Sequence, residues 1–298
     1  MDMFTRAGRS ETGQGDAVTA ALSFIVEQPG ITPYFESAAL TGGLPREHFE
    51  TRARLVPVHD LRDLESSALD RTGFELRRHA TAVEDLYDEA RVQTSYREEV
   101  ARLLLEATGA DDVVVFDHTR RSDADTGARN VDGARRPASR VHVDYTARSG
   151  PQRARDVLGE ERFERVLSAG GRVAQVNVWR PIVGPVQRSP LALADARSVD
   201  PRELVRTEQL FPERVGEIYH LAYSPHQRWY WAPAMERDEV LLIKGWDSEG
   251  DGRARFTPHA AFHPPDEDPE APPRESIEVR AFLVFEGARD GQTGAAGC

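Results

Sequence analysis

Lysine and cysteine are almost missing from this chain. Of its 38 basic residues all but Lys244 are arginines, which stay protonated in proteins. Catalysis by a lysine base or a Schiff base therefore has one candidate. Lys244 lies inside the apolar run EVLLIKGW, where a strand residue that snorkels or pairs is expected. The single cysteine is Cys298, so no internal disulfide can form. No run approaches the ~18 uncharged apolar residues of a membrane span. The first residues, MDMFTRAGRSETGQGD, lack the apolar stretch of a signal peptide. A formal net charge of −12 argues against nucleic acid, which calls for a basic stripe. No glycine-rich phosphate loop leads into a helix, so a nucleotide fold has nothing to rest on. A cytoplasmic protein with a small-molecule substrate fits these absences, with neither nucleic acid nor membrane as partner; a homodimer is allowed.

What is present is a soluble-protein composition, 39% hydrophobic and 30% charged, on a chain long enough to bury a full core. The whole chain reads as one domain, with residues 1–16 disordered and 287–298 a flexible tail. Residues 17–110 read as a mixed N-terminal region of strands and turns. It ends in a long amphipathic helix over 86–110, where apolar residues recur at helical spacing before a glycine. DDVVVFDHT is β-branched and strand-like. RRSDADTGARNVDGARRPAS (120–139) reads as a long surface loop in the position of a lid. One or two helices follow over 151–170. Strand patterns then dominate: RVAQVNVWRPI, EIYHLAYSP, RWYWAPAM, EVLLIKGWDS, ARFTPHAAFH and SIEVRAFLVFE. Short strands separated by Pro, Gly and Asp suggest an antiparallel sandwich or barrel. PPDEDPEAPPRE (264–275) reads as a solvated acidic loop.

Chemistry concentrates in RVHVDYTARSG. On an extended strand His142 and Asp144 share a face, which sets an imidazole beside a carboxylate. A jelly-roll barrel can complete such a pair with a distant histidine. His220, His226, His259 and His263 are available, and His259 in RARFTPHAAFH is favoured because it lies in a late strand pattern. Two histidines and one carboxylate leave open positions on a metal, as in non-haem Fe(II) oxygenases; zinc also takes these ligands. In PPRESIEVRAFLVFEG, Arg274 and Ser276 share a strand face. A guanidinium fork beside a hydroxyl suits the distal carboxylate of a dicarboxylic acid. Arg280 has the same parity and rivals Arg274 for this role. Asn177 and Trp179 in VNVWRP face the cofactor or the substrate, or else the core, with Arg180 on the opposite face. Tyr145 points away from Asp144 and is structural. Tyr223, Trp229, Trp231 and Trp246 either pack the core or cage an apolar metabolite. His118, with Arg120 and Arg121, reads as a polar cluster at a strand end, or else contacts the site from the barrel edge.

These motifs, with TGFELRRHATAVEDLYD, VVVFDHTRR, PLALAD and YSPHQRWYWAPAMERDEVLLIKGWDS, make the chain resemble a bacterial and fungal family of non-haem iron, 2-oxoglutarate-dependent oxygenases. That family includes the cephem 7α-methoxylase small component, the novofumigatonin endoperoxidase and gibberellin desaturase-like proteins. The resemblance runs from about residue 50 to residue 286. It implies a mainly β fold with helices: a double-stranded β-helix (jelly-roll, cupin-like) core over 111–286 with N-terminal and inserted helices. It further implies Fe(II) on His142, Asp144 and His259, 2-oxoglutarate as co-substrate on Arg274 and Ser276, with Arg280 as the alternative, and O2. The reaction class would be hydroxylation, desaturation or oxidative cyclisation of a specialised metabolite. A departure is His263 in AAFHPP, where related sequences tend to carry an acidic residue. The alternative reading is a non-catalytic or zinc-bound jelly-roll protein that binds a small metabolite.

Overall fold

The structure is a computed structural model that describes residues 17–42, 45–131 and 133–287. The expected disorder of 1–16, nearly all of the 287–298 tail and Cys298 lie outside the described residues.

In chain order the strands begin with β1 (Val18–Ile25), β2 (Tyr34–Glu36), β3 (Arg46–Glu47), β4 (Thr51–Asp60) and β5 (Phe74–Arg78). After the first helices come β6 (Asp112–Ser122), β7 (Ala128–Asn130), β8 (Gly133–Arg135) and β9 (His142–Val143). The remainder are β10 (Arg172–Pro181), β11 (Leu191–Ala194), β12 (Leu204–Leu210), β13 (Val215–Leu221), β14 (Trp229–Trp231), β15 (Glu239–Asp247), β16 (His259–Ala261) and β17 (Glu275–Phe285). The helices are α1 (Ala38–Thr41), α2 (Glu89–Arg91), α3 (Arg97–Thr108), α4 (Ser149–Leu158) and α5 (Glu160–Ser168).

Two sheets form the jelly roll. The small one runs β5-β15-β10-β17-β6 and the large one β1-β4-β14-β11-β16-β9-β13-β12-β2-β3. The large sheet curls: the β1–β4 hairpin bends back until Ser23 bridges Arg140 and Ile25 bridges Ala222. The curl closes over a core of Leu22, Phe24, Val58, Val141, Leu221 and Trp229. The jelly-roll core therefore draws strands from the N-terminal region as well as from 111–286.

Strand β10 shows how sequence sets the layers. Its even positions Ala174, Val176 and Val178 pack outward with Val100 and Leu104 of α3. Its odd positions face the other sheet: Val173 joins a plug with Phe163 and Val166 of α5, and Trp179 packs with Leu193 and Ile243. Between these apolar ends lie Gln175 and Asn177, both buried. A polar stretch on a buried strand face calls for partners: Asn177 finds one in Asp144 and Gln175 Nε2 in Asn177, while Gln175 Oε1 has none.

Three expectations need correction. The helix over 86–110 starts at Glu89 and passes through a π turn, Val92–Tyr96, before α3 ends at Gly109 in the left-handed conformation (φ 67°). The surface loop 120–139 is largely ordered, because β6 continues to Ser122 and β7 and β8 form a hairpin. Two hydrogen bonds between Asn130 and the backbone of Arg120, 2.7 and 2.9 Å long, tie that hairpin to β6. The strand around HVD is two residues long, and the chain bends at Asp144. Of the two readings of the aromatic set, core packing holds for Trp229 and Trp246, buried in separate cores, while Tyr223 is surface-exposed.

Candidate active site

Strand β9 is short but has neighbours on both sides. His142 pairs in register with His259 of β16 on one flank and with His220 of β13 on the other. Directly paired residues present their side chains to the same face. The His142 and His259 rings accordingly lie 4.6 Å apart, centroid to centroid. The bend after Val143 turns Asp144 toward them, with Oδ1 3.6 Å from His142 Nε2. One ligand atom from each of His142, Asp144 and His259 fits within 4.8 Å of the others, the only such group among the described residues.

Each of these side chains is aimed by a hydrogen bond on its far side. His142 Nδ1 donates to the Arg140 carbonyl at 2.8 Å, and His259 Nδ1 to the Thr257 carbonyl at 2.9 Å. A carbonyl only accepts, so Nδ1 carries a proton in both rings, and Nε2 is the atom that a neutral ring offers to a metal. Thr257 is fixed in turn by a 2.8 Å hydrogen bond to the Gly73 carbonyl. Gly73 must be glycine on two counts: its φ is +87°, and an added Cβ would meet Thr257 Oγ1 at 2.2 Å. The Asp144 carboxylate is gripped at Oδ2 by Asn177 Nδ2 at 2.8 Å and by Arg280 Nε at 3.0 Å. Asn177 and Arg280 are cross-strand partners on β10 and β17. Gln175 Nε2 fixes the Asn177 amide through Oδ1 at 2.6 Å. Oδ1 of Asp144 is thereby left toward the imidazoles.

The electrostatics follow this wiring. Burial would raise the Asp144 carboxyl, but Arg280, the two imidazoles and Asn177 outweigh it and hold the group well below the usual carboxylate range. Burial, then the neighbouring His259, pushes His142 down to about 3. At neutral pH the site offers an unprotonated imidazole and a carboxylate, the donor states a metal needs.

A small, partly open pocket lies beside the triad, walled by His142, His259, Trp179, Leu191, Arg274 and Arg121, with Ala138 and Glu278 completing the lining. Arg274 is 2% exposed. Its Nη1 donates to the Ser189 carbonyl, and its guanidinium stands 5.6 Å from the Trp179 ring. Ser189 presents that carbonyl from a left-handed backbone (φ 47°) held by Asp123 and Glu267. Arg274 Nε has no partner although it is buried. Burial, then repulsion by Arg121, presses Arg274 down to about 9, still protonated at neutral pH.

The expected site residues thus divide. His142, Asp144 and His259 come together, and Arg274 and Trp179 border the same pocket. Ser276 is buried beside Arg121, its hydroxyl 3.4 Å from the Arg121 carbonyl, and it is absent from the pocket lining. Arg280 does not face the pocket: Asp144, Asp117 and Glu278 occupy it. Asn177 likewise serves Asp144 rather than a cofactor pocket. His220 adjoins His142, but its Nδ1 meets Thr207 Oγ1 at 3.0 Å and its ring packs on Phe49. His226 is exposed, and His263 pairs with Glu267. His118 and Arg120 bind Glu89 away from the pocket. Arg180 serves Tyr96 and His79 behind the sheet, and Lys244 is paired with Asp70 and Asp247. The residues missed by sequence reading are Gln175, whose inward parity with Asn177 was a usable signal, and Leu191 in PLALAD.

A family profile described as "Oxidoreductase/YMDC permease-like domain" matches residues 22–285. No described helix is long and apolar enough to cross a membrane. The chain is 35% identical over 275 residues to the hydroxylase/desaturase efuI of Hormonema carpetanum, covering 83% of this chain and 88% of that protein. It is 34% identical over 260 residues to the Fe(II)/2-oxoglutarate-dependent dioxygenase nvfI of Aspergillus novofumigatus, covering 82% of this chain and 88% of the relative. A solved structure of the iron and alpha-ketoglutarate-dependent endoperoxidase NvfI superposes with a TM-score of 0.79 at 31% identity, covering 91% of this chain and 99% of that one.

Proposed function

Since the chain belongs to the non-haem Fe(II)/2-oxoglutarate-dependent oxygenase family, we propose that His142, Asp144 and His259 hold the iron and that Arg274 anchors the co-substrate. The protein is a 2-oxoglutarate-dependent iron dioxygenase that oxidises small-molecule metabolites. The observation that carries the residue assignment is the meeting of an aimed two-histidine, one-carboxylate set and an unpaired buried guanidinium in one pocket.

The donor set fits Fe(II): three ligands leave further positions open. The pocket fits 2-oxoglutarate because a buried guanidinium without a counter-ion is costly until a carboxylate meets it. When bound, the iron with 2-oxoglutarate and O2 supplies the oxidation, coupling decarboxylation to succinate with removal of substrate hydrogen. The chain's own residues do the placing. The Arg140 and Thr257 carbonyls fix the Nδ1 proton of each ring and so aim both Nε2 atoms at the metal position. Arg280 and Asn177 hold Asp144 ionised and prevent it from rotating. Arg274 sets the orientation of the dicarboxylate, with Ser276 on the same strand behind it. Trp179 and Leu191 give the pocket an apolar wall that excludes water.

The test is succinate formation. Anaerobically purified protein is given Fe(II), 2-oxoglutarate and O2, with a panel of metabolites as primary substrates. Wild type should form succinate and His142→Ala should form none above background. Equal succinate from both proteins would contradict the assignment.

A further inference from the structure

Two guanidinium groups border the pocket, and neither has a counter-ion. Arg274 meets only the Ser189 carbonyl, and Arg121 donates Nη1 to the Arg136 carbonyl at 2.9 Å. Among the described residues no carboxylate comes within ion-pair distance of either. Glu278 on the same wall is engaged by Arg280. The contrast along β17 is sharp: Arg280 is met by three carboxylates, and six positions earlier the chain leaves a cation bare. Arg121 pairs in register with Ser276 on β17, two residues from Arg274, and both arginines line the pocket, so a carboxylate placed at Arg274 lies beside Arg121 as well. Two adjacent like charges repel, and burial strengthens the repulsion. An anion between them removes that cost. One carboxylate has about four lone-pair sites, enough for two guanidinium forks.

We propose that Arg121 is the second arm of a two-arginine clamp on the distal carboxylate of 2-oxoglutarate, and so a determinant of co-substrate specificity. This rests on the assignment of Arg274 given above. The clamp selects a 2-oxo acid with a second carboxylate over a monocarboxylic 2-oxo acid of the same chain length, because only the former neutralises the paired cations. Its hydrogen bond to the Arg136 carbonyl holds Arg121 against the chain that follows the β7–β8 hairpin, next to Ala138 in the pocket wall. The hairpin thereby sets where the clamp's second arm stands.

The experiment is anaerobic calorimetry on Mn(II)-loaded protein, with 2-oxoglutarate and 2-oxopentanoate as titrants, for wild type, Arg121→Gln, Arg121→Lys and Arg274→Gln. Losing a charge-assisted hydrogen bond should weaken 2-oxoglutarate binding by Arg121→Gln on the order of 10- to 100-fold. Binding of 2-oxopentanoate should stay within about twofold of wild type, and Arg121→Lys should recover part of the loss. Unchanged 2-oxoglutarate binding in Arg121→Gln overturns the clamp, as does an equal loss for both titrants, which marks a structural role. If Arg274→Gln loses 2-oxoglutarate while Arg121→Gln does not, the second arm alone fails. If neither variant loses it, the Arg274 assignment fails too.

Discussion

Two charged clusters sit on opposite faces of the same sheet, and only one is left incomplete. On the outer face Lys244 and Asp247, 1% and 0% exposed, pair at 2.8 Å. Arg172 closes on Asp247 and Asp70, and Arg253 reaches Asp70. Each carboxylate has cations and each cation has carboxylates. On the inner face Asp144 is gripped at one oxygen only, His142 Nε2 lies 3.6 Å from its other oxygen with His259 alongside, and Arg274 has no anion. Both clusters are buried and dense in charge, so density does not mark the functional one. The difference is unfilled valence aimed at a cavity.

That contrast can be broken from either side. The largest effect belongs to the closed cluster. Asp247→Ala leaves Lys244 and Arg172 short of a buried partner and should destabilise the fold by about 3–5 kcal/mol. Denaturant unfolding checks the loss, and Fe(II) affinity at His142, Asp144 and His259 should be unmoved. An iron site that weakened alongside the fold would mean the two faces are coupled.

The open cluster should answer in the opposite way. Arg280→Gln leaves Asp144 Oδ2 to Asn177 alone and should weaken Fe(II) binding by about 10- to 100-fold, as loss of a group that orients a metal ligand does. Calorimetry reads this directly. If Arg280→Gln instead abolished only 2-oxoglutarate binding, Arg280 would be the co-substrate anchor after all.

A smaller effect separates the buried histidines from the buried carboxylates in the metal-free protein. His142 is pushed down to about 3 and His220 well below its ordinary value, both by burial first and then by nearby positive groups. Below pH ~6.5 the unfolded chain takes up protons that these folded imidazoles refuse, so stability is full above that pH and falls as pH drops. The slope should be about 1 kcal/mol per pH unit for each such histidine. Chemical denaturation at pH 7.5 and 5.5 measures it, and His220→Phe should flatten it. For Asp144, held low, the loss comes only as pH falls below the ordinary carboxylate value near ~4.

Much of the open cluster was legible before any coordinates. The parity of Asn177 with Trp179 follows from the two-residue period of strands, and His259 stood out by its late strand pattern. The HVD pair was visible too, although a bend at Asp144, not strand period, brings its two side chains together. Parity does not separate Arg274 from Arg280, because both share it; the register that sets Arg280 opposite Asn177 is what favours Arg274 as the proposed anchor. The β7–β8 hairpin was hidden by its polar composition, which reads as loop until Asn130 is seen capping β6. Strand β11 was hidden by brevity, and the closure of β1–β4 over Trp229 by long-range pairing, which local pattern does not encode.

The account turns on three side chains holding one iron. The direct measurement is anaerobic Fe(II) titration of wild type, His142→Ala, Asp144→Ala, His259→Ala and His220→Ala, followed by calorimetry with circular dichroism to confirm folding. The account predicts one equivalent bound by wild type and His220→Ala, and no stoichiometric binding by the other three folded variants. Stoichiometric binding retained by His259→Ala, or lost by His220→Ala, would contradict it.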